Sequence, residues 1–209
     1  TTYTVTGIGE EAFCDLASVT SVTIPESVTY IGSKAFAGCL GITTVTFNDN
    51  LEMIGGSAFY GCTSLTGDLL IPASVKTIGN YAFNGCTGIN GKVTIEGNEN
   101  GTTIGEYAFN GCTQISSLEL EDGITSIGAY AFQNCSGIKG DLVIPDSVTS
   151  IGGYAFYYCS GFDGTLTLSN SLTSINEQTF VGCTGFTGEL IIPDSVTTIG
   201  NNAFGYYYQ

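Results

Sequence analysis

The 209-residue chain contains no histidine and no arginine, and its only cationic side chains are Lys34, Lys76, Lys92 and Lys139, against 19 Asp and Glu. A net charge of -15 repels nucleic-acid phosphates and anionic lipid headgroups, so neither is expected as a partner. No apolar run approaches the roughly 20 residues of a membrane span. The opening TTYTVTGIGEEAF has neither the basic end nor the apolar core of a signal peptide. Membrane insertion by this chain is not expected, and any export signal is expected to have been removed or to lie outside it. Pro-rich or Gly/Ser-rich linkers and charge blocks are also missing, which predicts one domain over 1–209. With 43% hydrophobic residues and a mean hydropathy of +0.25, that domain should bury a sizeable core.

What the sequence has instead is a phrase that returns: IGSKAFAGCLGI at 31, IGGSAFYGCTSL at 54, IGNYAFNGCTGI at 78, IGEYAFNGCTQI at 104, IGAYAFQNCSGI at 127. Aligned on Phe, it gives Phe13, Phe36, Phe59, Phe83, Phe109, Phe132, Phe156, Phe180 and Phe204, at a nearly constant spacing. Each Phe follows an Ile at a fixed offset, from Ile8 before Phe13 to Ile199 before Phe204. A period held this closely predicts a solenoid. Between the phrases stand alternating triplets (VTI at 22, VTF at 45, LLI at 69, VTI at 93, LEL at 118, LVI at 142, LTL at 166, LII at 190). Their outer members should face the core and their middle members solvent, in a parallel ladder with one strand per coil. SVTYIG and its equivalents should form a second extended wall, with AFxGC as a short helical turn between the walls. The Gly after each Ile, replaced once by Asn176, is expected to hold a left-handed backbone position. EGNENGTT at 96–103 reads as a loop insertion.

The pattern IPxSVTxIGxxAFxGCxxLT resembles the BspA-like, or Treponema-type, leucine-rich repeat over essentially the whole chain. The resemblance implies a right-handed leucine-rich-repeat superhelix with a parallel β-strand ladder, short extended segments and helical turns on the other wall. It further implies about nine coils, each of roughly 23–26 residues, in a fragment of a longer cell-surface or secreted protein. Relatives act in adhesion and host-protein binding, and the family repeat supplies no catalytic residue. Asn176, Thr179 before Phe180 and the out-of-register Cys14 depart from the pattern.

Seven of the eight cysteines (Cys39, Cys62, Cys86, Cys112, Cys135, Cys159 and Cys183) follow the repeat Phe by three positions and must form one column. Side chains that all point inward alike, and are odd in number, favour free buried thiols over disulfides. Buried Cys acts as a small hydrophobe whose S–H satisfies a nearby carbonyl. Zinc is disfavoured, because column neighbours lie a full coil apart in sequence, with no CxxC and no His. Nothing in an apolar column would make a thiolate. The acidic pairs Glu10/Glu11 and Glu121/Asp122 diverge rather than converge, so no enzyme is expected, and no cofactor or metal. FNDN at 47 and EGNEN at 96 read as solvated turns rather than as calcium loops.

The middle triplet positions form an exposed column, Thr23, Thr46, Leu70, Thr94, Glu119, Val143, Thr167 and Ile191, and solenoids commonly bind along such a face. The candidate ligand-binding residues are Thr46, Leu70, Thr94, Glu119, Val143, Thr167 and Ile191. Leu70, Val143 and Ile191 are apolar where Thr is the rule; β-propensity accounts for them, and contact with a ligand is the alternative. Mixed apolar and neutral groups predict affinity that survives high salt. Tyr81, Tyr107, Tyr130 and Tyr154 stand two positions before Phe in four successive coils, where rings stack between coils or bind a sugar or protein. Two function classes follow. One is a monomeric adhesin-like module for an extracellular protein or glycan; the other is a rigid spacer within a longer surface protein. Tyr206, Tyr207 and Tyr208 are expected to fold over the last coil or to continue into a longer chain.

Overall fold

Each coil contributes one Ile to a ladder of parallel strands, and this ladder is the frame of the protein. In the computed structural model, which describes residues 4–205, the strands Gly7–Ile8, Tyr30–Ile31, Met53–Ile54, Thr77–Ile78, Thr102–Ile104, Ile124–Ile127 and Ser150–Ile151 form a seven-stranded sheet. Ile pairs with Ile at each step (Ile8 with Ile31, Ile31 with Ile54, Ile54 with Ile78, Ile78 with Ile104). Ser174–Ile175 and Thr198–Ile199 repeat the pairing at the far end. The chain is a parallel solenoid of about eight turns. Tyr206, Tyr207 and Tyr208, expected to cover the last coil or continue the chain, lie outside the described residues.

The Phe rings form a second column, stacked face to face from Phe13 to Phe204 with centroids 5.1–5.5 Å apart. From Phe36 to Phe180 the rings are buried, as are Ile8 to Ile175. Towards the two ends burial is incomplete: Phe13, stacked on Phe36 alone, is 42% exposed, and Ile199, paired with Ile175 alone, is 52% exposed. Burial of this repeated apolar set, on the order of 2 kcal/mol per large side chain, is the main favourable term of the fold.

No α-helix occurs among the described residues, so the expected helical turn at AFxGC is corrected. The reason is where the N–H groups go. Ala35, Ala37 and Cys39 donate to carbonyls three positions back, Gly32, Lys34 and Phe36, whereas Lys34, Phe36 and Gly38 donate forward to Gly56, Ala58 and Tyr60 of the next coil, each at 2.8 Å. An α-helix needs every N–H for its own i−4 carbonyl, which this alternation forbids. The alternation is made by left-handed residues two before and two after each Phe: Lys34 (φ 53°) and Gly38 (φ 69°), Tyr107 (φ 56°) and Gly111 (φ 74°), and their equivalents. Among the described residues, all twelve non-Gly residues with positive φ fall in these two columns. Left-handed backbone costs about 1–2 kcal/mol in a non-Gly residue, and the inter-coil bonds hold it there.

The Gly after Ile is therefore not the left-handed position it was expected to be, for Gly32, Gly55, Gly79, Gly105, Gly128, Gly152 and Asn176 are absent from the positive-φ set. Its role is close approach. A Cβ on Gly32 would sit 2.6 Å from Glu10 N, and one on Gly128 2.6 Å from Glu106 N. The Gly N–H bonds the Ile carbonyl of the preceding coil, as Gly152 to Ile127 at 2.8 Å. At Asn176 the side-chain amide makes that bond instead, Nδ2 donating to Ile151 O at 2.5 Å.

Candidate functional site

The triplets do form the second ladder, but not a continuous one. Ser21–Thr23 pairs with Thr44–Thr46; Leu69–Ile71, Lys92–Ile95 and Ser117–Leu120 form a three-stranded sheet; Leu142–Val143 pairs with Leu166–Thr167. The segment 190–192, expected as the last strand, is not one. The ladder is thus interrupted three times, before Leu69, before Leu142 and before Leu190. Each interruption coincides with a left-handed glycine, Gly67 (φ 79°), Gly140 (φ 84°) and Gly188 (φ 80°). Gly91 and Gly164 occupy the same position in the paired coils without positive φ. A left-handed residue swings the entering strand away from its predecessor; pairing resumes with the next coil after Gly67 and Gly140, and no strand forms after Gly188.

The three interrupted coils share more than glycine. They read GDLLIP, GDLVIP and GELIIP, with an acid after the Gly and an apolar residue at the outward middle position. Asp68 Oδ1 accepts from Lys92 N at 2.8 Å, and Asp141 Oδ1 accepts from Thr165 N at 2.6 Å and Thr165 Oγ1 at 2.8 Å. These bonds to Thr165 hold the Asp141 carboxyl below its usual range. Both Asp residues so fasten the following strand, while the side facing the preceding strand stays open as a cleft. Residues 44–46 and 67–69 border the first cleft (≈ 200 Å³), and Leu118, Glu119, Asp141 and Val143 the second (≈ 390 Å³). Residues 165–168, Glu189 and Ile191 border the third (≈ 390 Å³).

The sequence-derived column lies on this face. Thr46, Leu70, Glu119, Val143, Thr167 and Ile191 are exposed and Thr94 is half-buried. Leu70, Val143 and Ile191 are exposed by 52%, 51% and 67%, and within the outward column such aliphatic side chains are confined to the interrupted coils. Lys92 crosses the face to pair with Glu119, whose carboxyl is held low by that hydrogen bond and charge. The other lysines also bridge adjacent coils: Lys34 to Glu11 at 2.8 Å, Lys76 to Glu52 at 3.0 Å and Lys139 to Asp163 at 4.0 Å.

Elsewhere the candidates resolve into structural roles. Tyr81, Tyr107, Tyr130 and Tyr154 stack between coils at 4.5–4.8 Å, so their faces cover one another. All eight thiols are free. The seven column thiols each donate to the Phe carbonyl one coil back, from Cys39 to Phe13 O at 2.9 Å to Cys183 to Phe156 O at 3.1 Å. The FNDN and EGNEN turns are less solvated than expected, because Asn48 and Asn98 are buried and donate to preceding-coil carbonyls, Asn48 to Pro25 O and Val28 O and Asn98 to Ala73 O.

The chain matches the family described as BspA type Leucine rich repeat region in six copies, over residues 6–139, 67–161 and 91–209. No curated protein matches it. Among solved structures it is similar to a leucine-rich repeat protein of T. pallidum, at 24% identity and TM-score 0.63, over 88% of this chain and 75% of that one. It is also similar to a leucine-rich repeat protein of Eubacterium ventriosum, at 17% identity and TM-score 0.50, over 96% and 80% of the two chains. A third, from Bacteroides ovatus, shares 27% identity at TM-score 0.45, over 97% and 68%. The first two likenesses support the repeat fold.

Proposed function

The chain belongs to the BspA-type leucine-rich repeat family, and we propose that it is a non-catalytic, adhesin-like part of a cell-surface or secreted protein, binding an extracellular protein or glycan through its interrupted strand face. The observation that carries this reading is the confinement of Leu70, Val143 and Ile191, exposed aliphatics, to the three coils that open clefts. β-propensity alone would scatter such residues along the outward column over all coils; their restriction to the interrupted coils, with Val143 and Ile191 lining clefts, favours a contact role. Thiols buried along the core and tied to carbonyls suit an oxidising exterior, since burial holds them in the unreactive protonated form. The test is binding of the wild-type chain and of Leu70→Lys/Val143→Lys to a panel of matrix proteins and glycans. Loss of binding with an unchanged melting temperature supports the reading. Unchanged binding by the double variant moves the site off this face, and no binding by the wild type favours the spacer.

A further inference from the structure

We infer that the three clefts are subsites for the lysine or arginine side chains of an extended, cationic polypeptide, a partner chemistry that rests on the strand face being the binding face. The argument starts from charge. All four lysines are already paired across coils, which leaves a chain of net charge -15 with no unpaired cation among the described residues. Its surface field favours a positively charged partner.

Each cleft then supplies what a long cationic side chain needs. An acid lines each cleft (Asp68, Asp141, Glu189), and the exposed aliphatic two positions on lines the second and third (Val143, Ile191), while Leu70 stands on the strand just beyond the first. A lysine or arginine lays its methylenes on such an aliphatic and carries its charge to the acid. Asp68 and Asp141 use Oδ1 to fasten the next strand, and their Oδ2 atoms accept no hydrogen bond among the described residues. Lys92 provides the internal precedent, since it lies along this face and ends on Glu119, at the border of the second cleft. The clefts are separated by three coils and then two, or about 24 Å in all at roughly 4.8 Å per coil, the reach of seven or eight extended residues. The carboxylates at the clefts reverse the expectation of salt-resistant affinity: binding weakens as salt screens them.

The test is fluorescence anisotropy with a labelled (Lys-Thr)5 peptide and a (Glu-Thr)5 control. Wild type is expected to bind the lysine peptide alone. The variant Asp68→Asn/Asp141→Asn/Glu189→Gln keeps the acceptor atoms that fasten Lys92 and Thr165, and is expected to weaken binding about tenfold or more. Asp49→Asn/Asp122→Asn/Asp194→Asn removes the same charge from the turns between the two ladders and should weaken it less than about threefold. Leu70→Thr/Val143→Thr/Ile191→Thr should also weaken it, through lost contact with the methylenes. Equal losses in the two charge-matched variants would show general attraction only and overturn the inference, as would no binding of the lysine peptide. A cleft-carboxylate variant that keeps full affinity for a matrix protein lost by Leu70→Lys/Val143→Lys would overturn the cationic subsites and leave the strand face standing as the binding face.

Discussion

Cys112 Sγ donates to Phe83 O at 3.1 Å, and the same carbonyl accepts the N–H of Cys86 at 3.1 Å, so one oxygen joins two coils. The thiol is held as a protonated donor, with burial and the neighbouring Cys135 pushing its pKa well up; burial also moves Cys62 to about 12.

Thiol counting in denaturant without reductant should therefore find all eight cysteines reduced, and the native protein should label slowly at the buried column. The pH dependence follows. Above pH ~9 the unfolded thiols ionise while the folded ones stay protonated, so the unfolded state binds fewer protons and stability falls as pH rises toward the folded values. The slope approaches about 1.4 kcal/mol per pH unit for each such thiol. Urea midpoints from pH 8 to 11 should fall more steeply for wild type than for Cys112→Ala/Cys135→Ala. Parallel slopes would show that the thiols ionise normally in the fold.

Two glycines with different burdens separate contact from conformation. Gly128→Ala forces a Cβ to 2.6 Å from Glu106 N and should cost about 1–3 kcal/mol or more, as backbone must move. Gly61→Ala, at φ 69° with open space around it, should cost only about 1 kcal/mol. Equal losses by denaturant titration would contradict the close-approach role.

Asn176→Ala should destabilise by about 1 kcal/mol or more, because Ile151 O loses the amide that replaces the usual main-chain donor. Asn176→Gly, which restores that donor, should be at least as stable as wild type. A destabilised Gly variant would give Asn176 a further role.

Phe109→Ala removes a fully buried ring flanked by Phe83 and Phe132 and should cost about 3–5 kcal/mol. Phe13→Ala, with one ring neighbour and 42% exposure, should cost less than half of that. A comparable loss at both positions would mean that the end coil is as tightly held as the middle.

The Ile, Phe and Cys columns were legible because each repeats in register and each side chain points where its spacing sends it. The turn was not legible, because its geometry is decided between coils: Tyr107 takes a left-handed conformation so that its N–H reaches Ala129 O, a partner in the following coil. Propensity, which reads one residue at a time, assigns positive φ to glycine and so favoured Gly105 over Tyr107. At the candidate site the outward column was read correctly, but its interruptions were missed. Their signal is present in GDLL, GDLV and GELI, and it takes the contrast with GKVT and GTLT, whose ladders stay paired, to give it meaning.

The forward-reaching N–H groups give the turn wall an electrical direction of its own. From the Phe13 coil to the Phe156 coil, the residue two before Phe, the Phe itself and the residue two after point their N–H toward the following coil, while the Gly N–H of that wall points back to the preceding Ile carbonyl. Peptide dipoles so aligned add along this wall, with its positive pole toward Phe204 and its negative pole toward Phe13, while on the other walls donors such as Thr43 to Thr20 O and Thr66 to Thr43 O point back and offset them. Glu10, Glu11 and Asp15 stand at the negative pole, and Lys34, bound to Glu11 at 2.8 Å, is the cation that offsets them there.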